Sequence, residues 1–504
     1  MRRPSDLALV TIAMLSAMFV TAISTTIVAT AAPSITAALQ GLPLYSWVFS
    51  AYLLSMTVTM PLYGKLADLY GRKPVYLVAT VLFVGGSLLC GVASSMEQLI
   101  VCRLVQGLGA GAIQPIAITL AGDLFPLEQR ARIQGLFSAM WGLASLTGPP
   151  LGGFLVEGWG WRWVFWVNVP IATLSAVLMA VALQERRPSH RPVLDWVGAA
   201  TLTGSVSALL LAVFALDGTA PSLLPPGPLL AVAGLLLVMF IWWEARAPEP
   251  LLPLPLLRLR IVGIGAILWL LAGVGIIGAA SYTTLTVQGV LGGSTLAAGL
   301  ALLPMDTCWL VGSFVSSRLL LRVGYRPLVA MGIGIVAVSL FSISRLGPEV
   351  SYAVFVATLA PSGFGFGCVV APLVIAVQNS VTWGQRGVAT ASTVFFRTIG
   401  GAVGVALLGL ALNLQLGMLL QGGEAGVGAV TQLLDPTERA RLAPGTAATL
   451  RLLLWQGLQG VWLLMALAAA IGFGVVWLLP SGMPRARHDA RRPAPTPAGA
   501  GAAD

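Results

Sequence analysis

Charge is what this sequence has least of. Asp, Glu, Lys and Arg together make up 9% of its 504 residues, where a soluble domain carries roughly 25%. So few ionic groups cannot cover the surface of a chain this long, and part of its solvent must be lipid. Histidine is nearly absent: His190 and His488 lie far apart, in a polar segment and in the tail, which argues against a histidine metal centre. The four cysteines, Cys90, Cys102, Cys308 and Cys368, sit inside apolar runs without metal-type spacing and read as small packing residues. No Gly-x-x-x-x-Gly-Lys-[Ser/Thr] run occurs. Gly107-x-Gly109-x-Gly111 and Gly363-x-Gly365-x-Gly367 lie within apolar runs, not between a strand and a helix, so they serve helix packing instead of nucleotide binding. ATP hydrolysis is therefore not expected as an energy source, and no cofactor or metal is expected. The 18 acids are scattered with no Asp-x-x-x-Asp pair, which weighs against a membrane-embedded transferase.

Apolar residues fill the chain instead, at 57% with a mean hydropathy of +0.90. Runs of about 20 apolar residues, the length that crosses about 30 Å of hydrocarbon, recur along it. They predict an all-α polytopic membrane protein with about fourteen spans, near Leu7–Ala31, Trp47–Leu66, Val75–Ala93, Leu99–Leu120, Ile133–Val156, Val164–Leu183, Trp196–Leu216, Leu229–Trp243, Val262–Leu285, Leu296–Leu319, Leu328–Leu346, Ala353–Val377, Val388–Leu412 and Leu458–Leu479. The first run is too long for the core of a cleaved leader and is followed by others, so it reads as a span.

A net charge of +10 does not point to nucleic acid, because the basic residues fall in short loops and tails, where they orient a membrane protein. With the N-terminus in the cytoplasm, 21 of the 28 Lys and Arg face inward and 5 outward, while Arg103 and Arg397 fall inside spans. Both termini are then cytoplasmic, in a multi-pass protein of the plasma membrane. The expected organisation is a six-helix bundle over 1–183 and a linker with two inserted spans over 184–261. A second six-helix bundle follows over 262–479, with a long outer loop over 413–457. The Pro-, Ala- and Arg-rich tail, 480–504, is expected to be disordered, with its arginines against anionic lipid. Within the outer loop, Asp435–Leu442 has the makings of a short helix. A weak repeat supports two bundles: Gly64–Pro74 follows the second span and Ser317–Pro327 the tenth, with a glycine, a base and a proline at matching offsets.

Three motifs carry more. Gly64-Lys65-Leu66-Ala67-Asp68-Leu69-Tyr70-Gly71-Arg72-Lys73-Pro74 places a helix-packing glycine, an acid, a turn glycine and two bases at fixed spacing. Asp68 is placed to pair with Arg72 or to meet the positive N-terminus of the thirteenth span. Arg72 and Lys73 project from the loop, and Arg72 can reach Asp123 at the inner end of the fourth span. In the fifth span, Gly142 is followed by Gly148-Pro149-Pro150-Leu151-Gly152-Gly153, which combines close helix contact with a helix-bending proline. The fourth span holds Arg103-Leu104-Val105-Gln106-Gly107. An arginine there costs about 2.5–3.5 kcal/mol and needs a partner or a wet cavity. At about 100° per residue, Arg103, Gln106, Ala110 and Gln114 share one face, as a pore lining would.

The first motif resembles the inner-loop signature of the major facilitator superfamily, and the second its antiporter signature. With Trp161–Pro170, Phe395–Gly401 and Thr26–Pro33, they make the chain similar to the fourteen-span drug:proton antiporter family over nearly its whole length. The resemblance implies two six-helix bundles plus two inserted helices that rock about a central site, and export of amphipathic organic compounds by proton antiport. Many members of that family carry an Asp two residues before the Thr-Ile-Val, associated with proton coupling or cation recognition; here that place is Ser24. That departure either removes the role from this chain or moves it to another carboxylate.

Asp306 is the acid placed well inside a span. A carboxylate there is expensive when ionised, so it is expected to be protonated, paired or facing water. It becomes the candidate for proton coupling or recognition of substrate charge, with Arg103 facing it across the cavity. Pro304 opens the backbone just before it, and Trp309, on nearly the same face, can stack on a cation. Trp47, Trp141, Trp269, Tyr282, Phe395 and Arg397 complete the candidate cavity. The expected partners are a small amphipathic substrate, protons and membrane lipids, with the chain a monomer. Alternatives are a specialised carrier for a lipid, siderophore, basic amino acid or sugar and, in a different class, a membrane-embedded transferase or a non-transporting sensor.

Overall fold

A computed structural model describes residues 4–125, 127–183, 195–217, 225–247, 250, 254–381, 386–420, 430–434 and 436–480. The linker Gln184–Pro192 and the tail beyond Pro480 lie outside the described residues. Those described are helical: α1 (Pro4–Leu39), α2 (Trp47–Tyr70), α3 (Arg72–Val92), α4 (Met96–Leu124), α5 (Leu127–Trp159), α6 (Trp163–Trp166), α7 (Asn168–Ala182), α8 (Trp196–Asp217), α9 (Pro226–Glu244), α10 (Leu254–Leu257), α11 (Arg260–Leu285), α12 (Thr295–Val323), α13 (Tyr325–Ser344), α14 (Tyr352–Ser380), α15 (Arg386–Leu420), α16 (Pro436–Arg441) and α17 (Pro444–Val476). Twelve helices among the described residues are long and apolar enough to cross a membrane. The two other expected spans, Trp47–Leu66 and Ile133–Val156, are also helical, as α2 and α5, so the expected fourteen is an approximate count.

Local chemistry sets the helix ends. The hydroxyls of Ser95, Ser294 and Ser351 accept from Gln98 N, Ala297 N and Val354 N, capping α4, α12 and α14. Gly71 joins α2 to α3 at φ 95° and Gly324 joins α12 to α13 at φ 86°, a conformation costly for any side chain. The weak sequence repeat thus corresponds to one turn used twice. The sixth span is broken into α6 and α7, because Pro170 has no N–H for the carbonyl of Trp166.

The outer loop is shorter than expected. α15 runs to Leu420 and α17 begins at Pro444, with the short helix α16 between them. Leu450, Leu454, Leu458 and Val461 recur at helical spacing and are buried, which carries α17 well before the expected Leu458. Arg451 and the threonines nearby dilute the hydropathy there and hide the pattern.

α1–α7 form one bundle, and α11–α15 with α17 the other. α8 and α9 pair, and α8 packs where α2 meets α15, through Leu202, Val206 and Leu210 against Leu54, Val58 and Phe395. At the end away from the chain termini, called distal here, one apolar cluster runs through both bundles, joining Ile27, Ile35 and Tyr45 to Tyr282, Leu285, Leu302 and Leu412. Towards the terminal end the clusters belong mainly to one bundle each, although the first takes in Ala402 of α15. Val10, Met14, Tyr76 and Met179 belong to one in the first bundle, and Leu268, Trp269, Val329 and Leu373 to one in the second.

Candidate functional site

Hydrogen bonds close the distal end between the bundles. Thr284 Oγ1 donates to Ala29 O at 2.7 Å and Gln288 Nε2 to Thr30 O at 3.0 Å. Ser34 donates to Gln288 Oε1 at 3.2 Å and shares a 2.9 Å hydrogen bond with Thr295. Tyr45 Oη donates to Ser281 O at 2.6 Å, Ser50 Oγ to Ala402 O at 2.9 Å, and Asn413 Nδ2 to Pro43 O at 2.8 Å. Gln288 sits in a π-helical turn, Thr286–Val290, that continues α11. Such widened turns recur at functional sites.

The glycine–proline run of α5 faces two helices at once. A Cβ on Gly148 would meet the Thr26 hydroxyl, and one on Gly152 would lie 2.9 Å from Ile27 O, so these glycines fit α5 to α1. A Cβ on Gly153 would run into the backbone of Leu296, and one on Gly299 into the Pro149 carbonyl, so α5 and α12 touch backbone to backbone across the bundles. Gly142 is looser, with Leu310 at 3.6 Å from its would-be Cβ. Glu157 Oε1 accepts from Leu296 N at 2.8 Å, holding the first turn of α12. Pro149 also has no N–H for the Ser145 carbonyl, which weakens α5 at that level.

Asp306 lies at this contact. It is 9% exposed, and its carboxyl is within hydrogen-bonding reach of Ser145 on α5. One turn before Ser145, Trp141 faces Arg397 of α15, with 5.8 Å from guanidinium carbon to ring centre. The same guanidinium lies 6.0 Å from the Trp269 ring of α11. Trp309 pairs with Phe366, ring centres 5.8 Å apart. The interface therefore holds a carboxyl from one bundle, a guanidinium from the same bundle and an indole from the other.

Other expected site residues lie elsewhere. Arg103 does not face Asp306. It is 1% exposed inside the first bundle, donates from Nε to Val48 O at 3.0 Å and from Nη1 to Gln106 Oε1 at 2.6 Å, and lies 4.0 Å from the Tyr52 ring centre. Gln106 Nε2 donates to Ser87 at 2.8 Å and to Ser24 at 3.4 Å. The polar face of α4 thus meets α1, α2 and α3 at these residues instead of lining a pore. Further along that face, Gln114 is half-buried, and its Oε1 has no hydrogen-bond partner. Tyr282 is buried near Tyr45 in the distal closure and Phe395 packs towards α8. Trp269 is rooted in the core of the second bundle and reaches the interface through the ring that faces Arg397. Ser145 was missed by sequence reasoning; a lone serine in a span gives no signal until its neighbour is known.

The Major Facilitator Superfamily profile matches residues 14–405. The chain belongs to this superfamily. It is 36% identical to the multidrug transporter protein MdtP of Bacillus subtilis over 80% of this chain and 75% of that protein. It is 33% identical to multidrug resistance protein 3 of the same organism over 85% of each. Among solved structures it resembles a bacterial homologue of the human lysosomal transporter Spinster in an inward-facing, unoccupied conformation. That match has a TM-score of 0.63 at 15% identity, over 94% of this chain and 98% of that one, and it speaks to the fold alone. As a major facilitator protein, the chain is a polytopic membrane transporter.

The superfamily's loop signature sits at the terminal end. Gly71 makes its turn, Arg72 Nη1 donates to Thr119 O of α4 at 3.2 Å, and Lys73 Nζ donates to Leu183 O just past α7 at 3.0 Å. Gly64 and Asp68 fall on the last turns of α2 and Asp123 on the last turn of α4. The side chains of Asp68 and Asp123, like the contacts of Gly387, lie outside the described residues.

Proposed function

We propose that this transporter exports amphipathic organic compounds across the plasma membrane by proton antiport, with Asp306 as the carboxyl that protons and substrate use in turn. The observation that carries the reading is the position of Asp306. It is a buried carboxyl in α12, facing Ser145 of the opposite bundle, beside the glycine contact that has to loosen when the bundles rock. A carboxyl there changes surroundings with each cycle, which couples its protonation to the conformation. The likeness to the two Bacillus subtilis proteins named for multidrug transport and resistance supports the substrate class. The 21-to-5 split of basic residues supports cytoplasmic termini and fourteen spans. On that orientation the distal closure is the outer gate, and this conformation faces inward.

The test is transport in proteoliposomes carrying an imposed pH gradient, with ethidium as substrate. Gradient-driven ethidium movement is expected with the wild type and is lost in Asp306→Asn, while ethidium exchange without a gradient is retained at higher ethidium concentration. Movement that ignores the proton gradient in the wild type contradicts the reading.

A further inference from the structure

Two groups in the second bundle can only donate hydrogen bonds, and both lack an acceptor. Arg397 has five N–H donors and no acceptor capacity, yet among the described residues its contacts are two ring faces, Trp141 at 5.8 Å and Trp269 at 6.0 Å, with no hydrogen bond or ion pair. Trp269 is 2% exposed, and its indole N–H has no hydrogen-bond partner. Backbone contacts hold the two together: a Cβ on Gly273 would meet the carbonyl of Arg397, and one on Gly400 that of Leu270. A guanidinium between two indoles is not neutralised by them; Arg397 is only partly buried, so its donors stay open to a guest, while the buried Trp269 N–H is a costly unpaired donor. Among the described residues no ion pair or hydrogen bond joins Asp306 to Arg397; the partner of its carboxyl is Ser145.

We propose that Arg397 and the Trp269 N–H form a receptor for the anionic oxygens of an amphipathic substrate, a carboxylate in the first instance, whose apolar body lies on Trp141. A carboxylate accepts from the guanidinium in a bidentate manner and has lone pairs left for an indole N–H. Trp141 belongs to the other bundle, so the receptor is complete only when α5 and α15 are together. It opens as the bundles part, which releases the anion. The substrate class is thereby widened from cations to aromatic acids and zwitterions. The proposal rests on the transport reading for the identity of the cavity and not for the energy source.

Calorimetric titration of the purified full-length protein with 2-naphthoxyacetate and with its uncharged amide tests it without any proton gradient, so failure of proton coupling leaves this measurement unaffected. The wild type is expected to favour the carboxylate by about tenfold or more, the scale of a charge-assisted hydrogen bond. Arg397→Gln removes that preference while still binding the amide, Arg397→Lys restores part of it, and Trp269→Phe weakens the carboxylate alone. Displacement of the carboxylate by phosphatidylglycerol assigns the receptor to lipid phosphate as well; resistance to it assigns the receptor to soluble acids. Equal affinity of wild type for the two compounds, no binding of the carboxylate, or an unchanged preference in Arg397→Gln overturns the proposal.

Discussion

Arg103 shows what a buried charge does when no carboxylate is near. Its guanidinium bonds a main-chain carbonyl and Gln106 and lies over Tyr52, and Gln106 in turn reaches Ser24 of α1. Arg103→Met leaves the Val48 carbonyl and Gln106 short of a donor, at about 1–3 kcal/mol for each buried group left unpaired. The expected outcome is a lower unfolding temperature and yield, with the proton dependence of the remaining transport unchanged. A stable variant that has lost proton dependence would instead make Arg103 part of the coupling machinery. The sequence made this residue conspicuous but not its neighbours. Helical periodicity groups Arg103 with Gln106 and Gln114, but which helices that face meets depends on packing, and the partners Ser24, Ser87 and Tyr52 come from three other helices. For the same reason Asp306 stood out as an acid within a span, while Ser145 did not.

At the scale of elements, α5 and α12 touch backbone to backbone across the bundles, and the proposed cycle needs that contact as its joint. Gly299→Val places a branched side chain against the Pro149 carbonyl and forces the two helices apart, since backbone does not yield as a flexible side chain would. The distal end should then stay open. A cysteine at Thr295 in that background should react with a thiol reagent several times faster than in the parent, with transport lost. Unchanged labelling with normal transport would show that the glycine contact is not the joint. Helices were the most legible part of the chain, because long apolar runs in lipid leave the backbone no other way to satisfy its hydrogen bonds. Where the reading slipped, a local cause is visible: Pro170 splits the sixth span, and Arg451 conceals the first turns of α17. The motif glycines were legible as packing residues, but not that one run serves α1 and α12 together.

For the whole molecule, the distal closure should be separable from the rest of the cycle. The Ser34 and Thr295 hydroxyls lie 2.9 Å apart across the bundles. Cysteines at both positions, with the four native cysteines replaced, should therefore form a disulfide on oxidation. Transport should stop and return on reduction; transport undiminished by the cross-link would mean that this gate does not open in the cycle. Orientation is tested separately. A cysteine placed in Gly422–Val430 should react with an impermeant reagent added to intact cells, and one in Arg485–Arg492 should not. The reverse pattern would overturn both the orientation and the even number of spans. The most direct test of the central claim, that proton and substrate share Asp306, is the release of protons when substrate binds. Ethidium is added to purified, weakly buffered protein from mildly acid to mildly alkaline conditions. Wild type should release protons on binding over part of that range, and Asp306→Asn should bind ethidium more weakly and release none at saturation. Equal release from both, or none from the wild type, would contradict the account.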